Sequence, residues 1–211
     1  NMEYVLEACV DSVESAIAAQ QGGAKRVELC GNLIIGGTSP GKALFQAVRK
    51  YTDLEIRVLL RPRFGDFCYD EYEFEIMKED VQMYRELGAD GIVTGILLPD
   101  GRLDSVRMGE LIREAGNADV ALHRAFDVCS DPYETLEGAV DLGIKTILTS
   151  GQKNSAWEGR ELLRELVRRS DGRIEILVGA GISPETIEKL VPFTGAQAYH
   201  MSGKVTLESR M

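Results

Sequence analysis

Positive charge is in short supply in this chain, where 24 Lys and Arg stand against 34 Asp and Glu for a formal net charge of -10. Affinity for a nucleic-acid backbone needs a Lys/Arg surplus to neutralise phosphates, so nucleic acid is excluded as a partner. A small anionic ligand is not excluded, because a few clustered arginines hold one inside an acidic protein. Long apolar runs are absent too. Nothing approaches the roughly 18 to 20 consecutive apolar residues of a membrane span, and Asn1-Met2-Glu3 does not open a basic-then-apolar signal pattern. A cytoplasmic protein with no membrane partner is expected; Asn1 reads as an addition ahead of a start at Met2. Cysteine is sparse: Cys9, Cys30, Cys68 and Cys129 lack CxxC spacing and are expected to be free thiols rather than a disulfide framework or a zinc cluster. With no glycine/serine linker or low-complexity run, residues 1–211 are expected to form one domain.

What the chain does have is alternation. Short runs rich in Val, Ile and Leu recur with amphipathic stretches between them, the pattern of a parallel sheet buried on both faces and joined by crossover helices. Strands are predicted at Tyr4 to Cys9, Arg26 to Cys30, Glu55 to Arg61, Gly91 to Gly95, Asp119 to His123, Thr146 to Ser150, Glu175 to Gly179 and Ala196 to His200. Helix starts are marked by Asp11-Ser12, Asp104-Ser105, Asp131-Pro132 and Ser183-Pro184, and helix exits by Gly22-Gly23, Gly88 and Gly143. Eight strands suit closure, so the expected fold is α/β, a single (β/α)8 barrel of the TIM type. After strand eight only Met201 to Met211 remain, too short and polar for an eighth outer helix. Either the chain stops short of that helix, or a partner subunit covers the seam between strands eight and one.

In such barrels the working residues sit at the carboxyl ends of the strands. Glu7 and Cys9 share one face of strand one, and Glu28 and Cys30 one face of strand two, because strand side chains alternate with period two. If that face is the interior, two carboxylates lie a layer below two thiols, and each carboxylate needs a proton or a cation. Arg61, Arg63 and Arg124 are the cations the strand ends offer. Two thiolates on neighbouring strands suit a soft ion such as Cu(I), with His200 or Met201 on strand eight as a further ligand. Equally, Glu7, Glu28 and His123 have the chemistry of general acids and bases, with Asp127 or a glutamate available to orient the histidine. Arg61, Arg63, Arg124, Asp127, Thr149 and Ser150, with Gly179 and Gly181 in the turn before a helix start, are the candidate contacts to an anion. Lys25 and Lys145 fall at strand starts, which leaves a Schiff-base reaction without its nucleophile. Trp157, Tyr69, Tyr72 and Phe74 read as packing, Phe64-Gly65-Asp66-Phe67 as a lid, and the charge run Arg160 to Arg173 as a solvated helix face.

The segments Glu7-Ala8-Cys9, Gly22-Gly23-Ala24, Arg26-Val27-Glu28-Leu29-Cys30, Gly36-Gly37-Thr38-Ser39-Pro40, Arg61-Pro62-Arg63-Phe64-Gly65-Asp66-Phe67, His123-Arg124-Ala125-Phe126-Asp127 and Ile147-Leu148-Thr149-Ser150-Gly151 resemble, in that order, the CutC family. The resemblance implies a barrel, a cytoplasmic location, a homodimer or higher homo-oligomer, and copper homeostasis. It also implies copper on a cysteine pair at the ends of the first two strands, here Cys9 and Cys30. The turn after strand seven departs from the family's usual triple glycine at Ala180, and the short carboxyl end departs further. Two functions are therefore expected: handling of Cu(I), or an enzyme that moves protons on a small anionic or phosphorylated substrate.

Overall fold

The computed structural model describes residues 3–202, together with 209 and 211. Its strands are β1 (Val5–Val10), β2 (Arg26–Leu29), β3 (Glu55–Leu59), β4 (Gly91–Thr94), β5 (Asp119–Leu122), β6 (Thr146–Thr149), β7 (Glu175–Val178) and β8 (Ala198–Ser202). Between them run α1 (Val13–Gln21), α2 (Lys42–Tyr51), α3 (Glu71–Glu86), α4 (Ser105–Ala115), α5 (Pro132–Leu142), α6 (Arg160–Ser170) and α7 (Pro184–Thr194). All strands are parallel, each pairs with the next, and β8 closes on β1, giving the eight-stranded (β/α) barrel expected from the alternation. Seven α-helices occur among the described residues, and residues 203–208, where an eighth would begin, lie outside them. No helix among the described residues is long and apolar enough to cross a membrane.

The local signals act as their chemistry requires. Ser12, Asp104, Asp131 and Ser183 each accept a backbone N–H from the first turn of the following helix, and Pro132 and Pro184 occupy the first helical positions. Gly143 ends α5 at φ 80, a conformation that costs a side chain with a Cβ. The outward faces of the strands, among them Val27, Leu29, Ile56, Val58, Ile92, Leu122 and Ile147, pack against the helices as the main core. Inside the barrel the middle layer is small and aliphatic, with Leu59, Val93 and Ala121 on one side and Leu148, Leu177 and Ala198 on the other.

Helix α6 carries its arginines outward, where Arg168 and Arg169 pair with Glu165 while Leu163 and Leu166 face the core, so the charge run is a solvated face. Tyr72 corrects the packing expectation. It is 79% exposed, because α3 turns Phe74, Met77, Val81 and Tyr84 inward and a residue two positions before Phe74 points away.

The β6–α6 loop folds back on its strand. A Cβ on Gly159 would lie 1.9 Å from the carbonyl oxygen of Ser150, a backbone atom that cannot swing aside. Gly159→Ala is therefore expected to cost about 1–3 kcal/mol or more, as overpacking does. Urea denaturation checks this as a lower midpoint at unchanged slope.

Candidate functional site

The site is built upward from a polar layer inside the barrel. Glu7, 1% exposed, receives the Nε–H of Arg26 on Oε2 at 2.7 Å and faces Arg57 Nη1 at 3.8 Å. Its other oxygen lies 2.7 Å from Nδ1 of His200, the register partner of Glu7 on β8. Arg26 also reaches Glu175 at 2.7 Å, and Thr146 joins Arg57 to Glu175 with two contacts of 3.1 Å. Room for Arg57 comes from Gly91, where a Cβ would stand 2.8 Å from the Arg57 Cγ. Burial alone would raise the Glu7 carboxyl, but the His200 hydrogen bond and the charges of His200, Arg26 and Arg57 outweigh it and lower the pKa to about 2.

These cations correct the expectation that Arg61, Arg63 and Arg124 serve the buried carboxylates. Arg26 and Arg57 come from within the strands, two residues before Glu28 and two before Leu59 on the same inward faces, deeper than any strand-end residue reaches. Arg63 turns outward onto Glu73, Asp66 and the Cys68 carbonyl. Removing one member of a buried pair leaves an uncompensated charge, so Arg26→Met is expected to destabilise by about 3–5 kcal/mol. Adding Glu7→Gln should return a large part of that loss, which a urea double-mutant cycle measures.

One layer above lie the thiols. Cys9 Sγ and Cys30 Sγ are 3.3 Å apart, and Cys30 Sγ is also 3.3 Å from Glu28 Oε1 and 3.8 Å from the Glu28 carbonyl oxygen, so its S–H has three acceptors within reach. Both sulfurs and a Glu28 oxygen fall within 4.8 Å of one another, as do donor atoms of Glu7, Glu28 and His200. His200 hydrogen-bonds Glu7 and lines the same cavity as Cys9; Met201 partners Ala8 in the register and belongs to the opposite face, so of the two proposed extra ligands only the histidine is at the site.

The two thiols differ in character. The hydrogen bond from Cys30 outweighs burial and, with His200, lowers the Cys9 pKa to about 6. The Cys30 thiol moves well above its ordinary value, because it donates to Cys9 and is buried beside Glu28. Glu28 itself rises to about 8 through burial and the neighbouring Cys9, and no ion pair to it occurs among the described residues. His200 is raised well above its ordinary value, its hydrogen bonds to Cys9 and Glu7 overcoming the opposing effect of burial.

Because the thiolate is the reactive form, alkylation of Cys9 should accelerate through pH values near 6 rather than near 9. Ultraviolet thiolate absorbance should show the same midpoint and lose it in Cys9→Ser; a titration only near the ordinary thiol range would refute the assignment.

The rim contains the remaining candidates. Arg61 and Phe67 line a cavity of about 180 Å³ with Cys9, Cys30, His123 and Arg124. Of the segment expected to act as a lid, Phe67 lines the cavity, while Phe64 is exposed. His123 does not touch Asp127, which corrects the expected orienting contact. Its Nδ1 accepts the N–H of Ala125 at 3.0 Å, and burial together with the Arg61 charge lowers its pKa to about 3. Asp127 accepts instead from Thr149 Oγ1 at 2.6 Å, from the N–H groups of Ser150 and Gln152, and from Arg124 Nε at 2.7 Å. Thr149 and Ser150 are thereby committed to the loop; neither lines the cavity. Gly179 and Gly181 border an adjoining hollow of about 350 Å³ that shares Cys9, Arg124 and His200 with the first. Ala180 there has φ 80.

A family model described as the CutC family matches residues 4–205. A family protein CutC of Bacteroides fragilis is 44% identical over 209 residues, covering 99% of this chain and 83% of that protein. The human copper homeostasis protein cutC homolog is 40% identical over 208 residues, covering 99% of this chain and 76% of that one. A solved structure of CutC from Streptococcus agalactiae superimposes with a TM-score of 0.90 at 30% identity, covering 96% of this chain and 100% of that one.

Proposed function

The chain belongs to the CutC family, and from that membership we propose that it serves copper homeostasis by holding Cu(I) on the thiols of Cys9 and Cys30. The observation that carries the reading is the sulfur pair itself, 3.3 Å apart at the mouth of the barrel. Soft thiolate ligands select Cu(I) over the harder divalent ions. Two bonds of about 2.3 Å to one ion require sulfurs roughly 4 Å or more apart, so the pair must open slightly as the metal enters. Cys9 is the half-buried member, and Cys30 is seated against Glu28.

The surroundings suit that cargo. Binding one Cu(I) to the Cys9 thiolate and the Cys30 thiol releases the Cys30 proton and leaves a bis-thiolate of net charge -1. His200, fixed on Glu7 and reaching Cys9, supplies a positive neighbour for that charge. The reading includes a cytoplasmic setting, since a reducing compartment keeps such thiols free to bind metal.

Anaerobic competition with a chromophoric Cu(I) chelator tests it. One Cu(I) per chain is expected in the wild type and none in Cys9→Ser/Cys30→Ser; unchanged affinity in the double variant would end the proposal. His200→Gln keeps both sulfurs but loses the charged neighbour, and should weaken binding about 10-fold, as loss of an outer partner does.

A further inference from the structure

The two sulfurs at the barrel mouth differ in what can reach them. Cys30 is 1% exposed and packs with Leu59, Val93 and Ala121, whereas Cys9 is half-buried. Cys9 lines both the cavity of about 180 Å³ and the adjoining hollow of about 350 Å³, and Cys30 lines only the smaller of the two. A small solute entering the larger hollow therefore meets the Cys9 sulfur before the Cys30 sulfur. Cys68 and Cys129 line neither space.

The backbone keeps the pair together. Cys9 stands opposite Glu28 in the β1–β2 register, which puts Cys30 two residues further along the same face. The N–H of Cys30 donates to the carbonyl oxygen of Val10 at 2.9 Å, one residue past Cys9, so the ladder anchors both cysteines. Beside Cys30 the chain is close-packed: a Cβ on Gly37 would stand 3.7 Å from the Cys30 Cβ and 3.0 Å from Leu59 Cδ2. The sulfurs lie 3.3 Å apart, and a disulfide draws them to about 2.05 Å, a closure within reach of small side-chain rotations.

We propose that Cys9 and Cys30 form a reversible dithiol–disulfide site whose oxidant is a small hydroperoxide, and that the disulfide closes the chain to Cu(I). The Cys9 thiolate attacks the terminal peroxide oxygen and the O–O bond breaks. Cys9 becomes a sulfenic acid, and the departing hydroxide or alkoxide takes a proton from water. The Cys30 sulfur then attacks the Cys9 sulfur; the S–S bond forms, the S–O bond breaks, and the departing hydroxide leaves as water with the Cys30 proton. The two sulfurs give up two electrons and the peroxide accepts them. One Cu(I) needs both sulfurs as thiolates and further apart, so metal and disulfide exclude one another. That exclusion rests on the copper reading; the disulfide does not.

The test uses the full chain, reduced and metal-free, treated with stoichiometric hydrogen peroxide and then labelled with a maleimide under denaturing conditions. Untreated protein should take four labels, one for each cysteine. Oxidised protein should take two, with peptide mass mapping joining Cys9 to Cys30, and dithiothreitol should return all four. In Cys30→Ser, Cys9 should stop at the sulfenic acid and react with dimedone; in Cys9→Ser, the Cys30 thiol should survive the same treatment. Four labels after peroxide, a linkage through Cys68 or Cys129, a bridge between two chains, or Cys9 passing to the sulfinic acid beside a free Cys30 would each overturn the disulfide. Mapping of the wild type needs no variant, so a substitution that fails to fold leaves the test standing. Chelator competition then reads the second half: the oxidised chain should bind no Cu(I) and regain full binding on reduction. Copper held by the mapped disulfide form would overturn the exclusion. Failure of the reduced chain to bind copper would end the copper reading, and the exclusion with it, while the disulfide stands on the mapping.

Discussion

A carboxylate sealed inside a barrel is the constraint around which this interior is arranged. Taking an ion out of water costs several kcal/mol, and Glu7 has no access to solvent with which to recover it. The recovery comes from three directions: Arg26 on β2, Arg57 on β3 and His200 on β8. The arginines then need counter-charge and acceptors of their own, found in Glu175 on β7 and Thr146 on β6. One buried charge thus engages six of the eight strands, and the two long arginine stems fill the interior with methylene groups where aliphatic side chains would otherwise pack. Closure of the barrel and neutralisation of Glu7 are one problem with one solution, since β8 brings His200 level with Glu7 only when it pairs with β1.

That solution shapes the chemistry above it. A histidine held by Glu7 stays charged, and it shares the cavity lining with Cys9. The positive ring and the Cys30 S–H both favour the Cys9 thiolate, while Cys30, buried against Glu28, stays protonated. Glu28 is the counter-example to Glu7: buried too and two residues from a cysteine, yet among the described residues it meets no arginine, and its pKa moves up instead of down. The repeated Glu-x-Cys motif therefore yields two unlike halves, because the neighbouring strands offer cations to one carboxylate and a thiol to the other.

Much of this was legible in the sequence. The eight strands follow from the alternation of apolar runs and capped helices, with edges displaced by one or two residues where a terminal side chain leaves the ladder, as at Cys30 and His123. Period-two spacing correctly places Glu7 under Cys9 and Glu28 under Cys30. The cations were harder to read, since attention to strand ends favours Arg61, Arg63 and Arg124 over arginines near strand starts. The same period-two step, counted back from Glu28 to Arg26 and from Leu59 to Arg57, puts the two arginines on the inward face; nothing local says that they reach Glu7. Arg63 shows the converse limit. Its neighbours in sequence are site residues, yet Glu73, the third residue of α3 and part of its capping box, draws the guanidinium away. A contact between a rim and a helix start ten residues later has no signature in spacing.

The chain's two histidines show how far environment governs role. His200 sits mid-strand in β8 and is half-buried, His123 follows β5 and is buried, and one faces a carboxylate and a thiol, the other an arginine and a phenyl ring. The first is held as a cation and the second as a neutral N–H donor with a pKa near 3. Environments that push two like groups apart in this way assign them different tasks. A permanent cation stabilises developing or bound negative charge beside the thiols. A neutral imidazole this hard to protonate is a poor base, so the proton-transfer role expected of His123 does not suit its surroundings. What such a ring does well is hold one fixed tautomer, with Nδ1 accepting the Ala125 N–H and its face against Phe67.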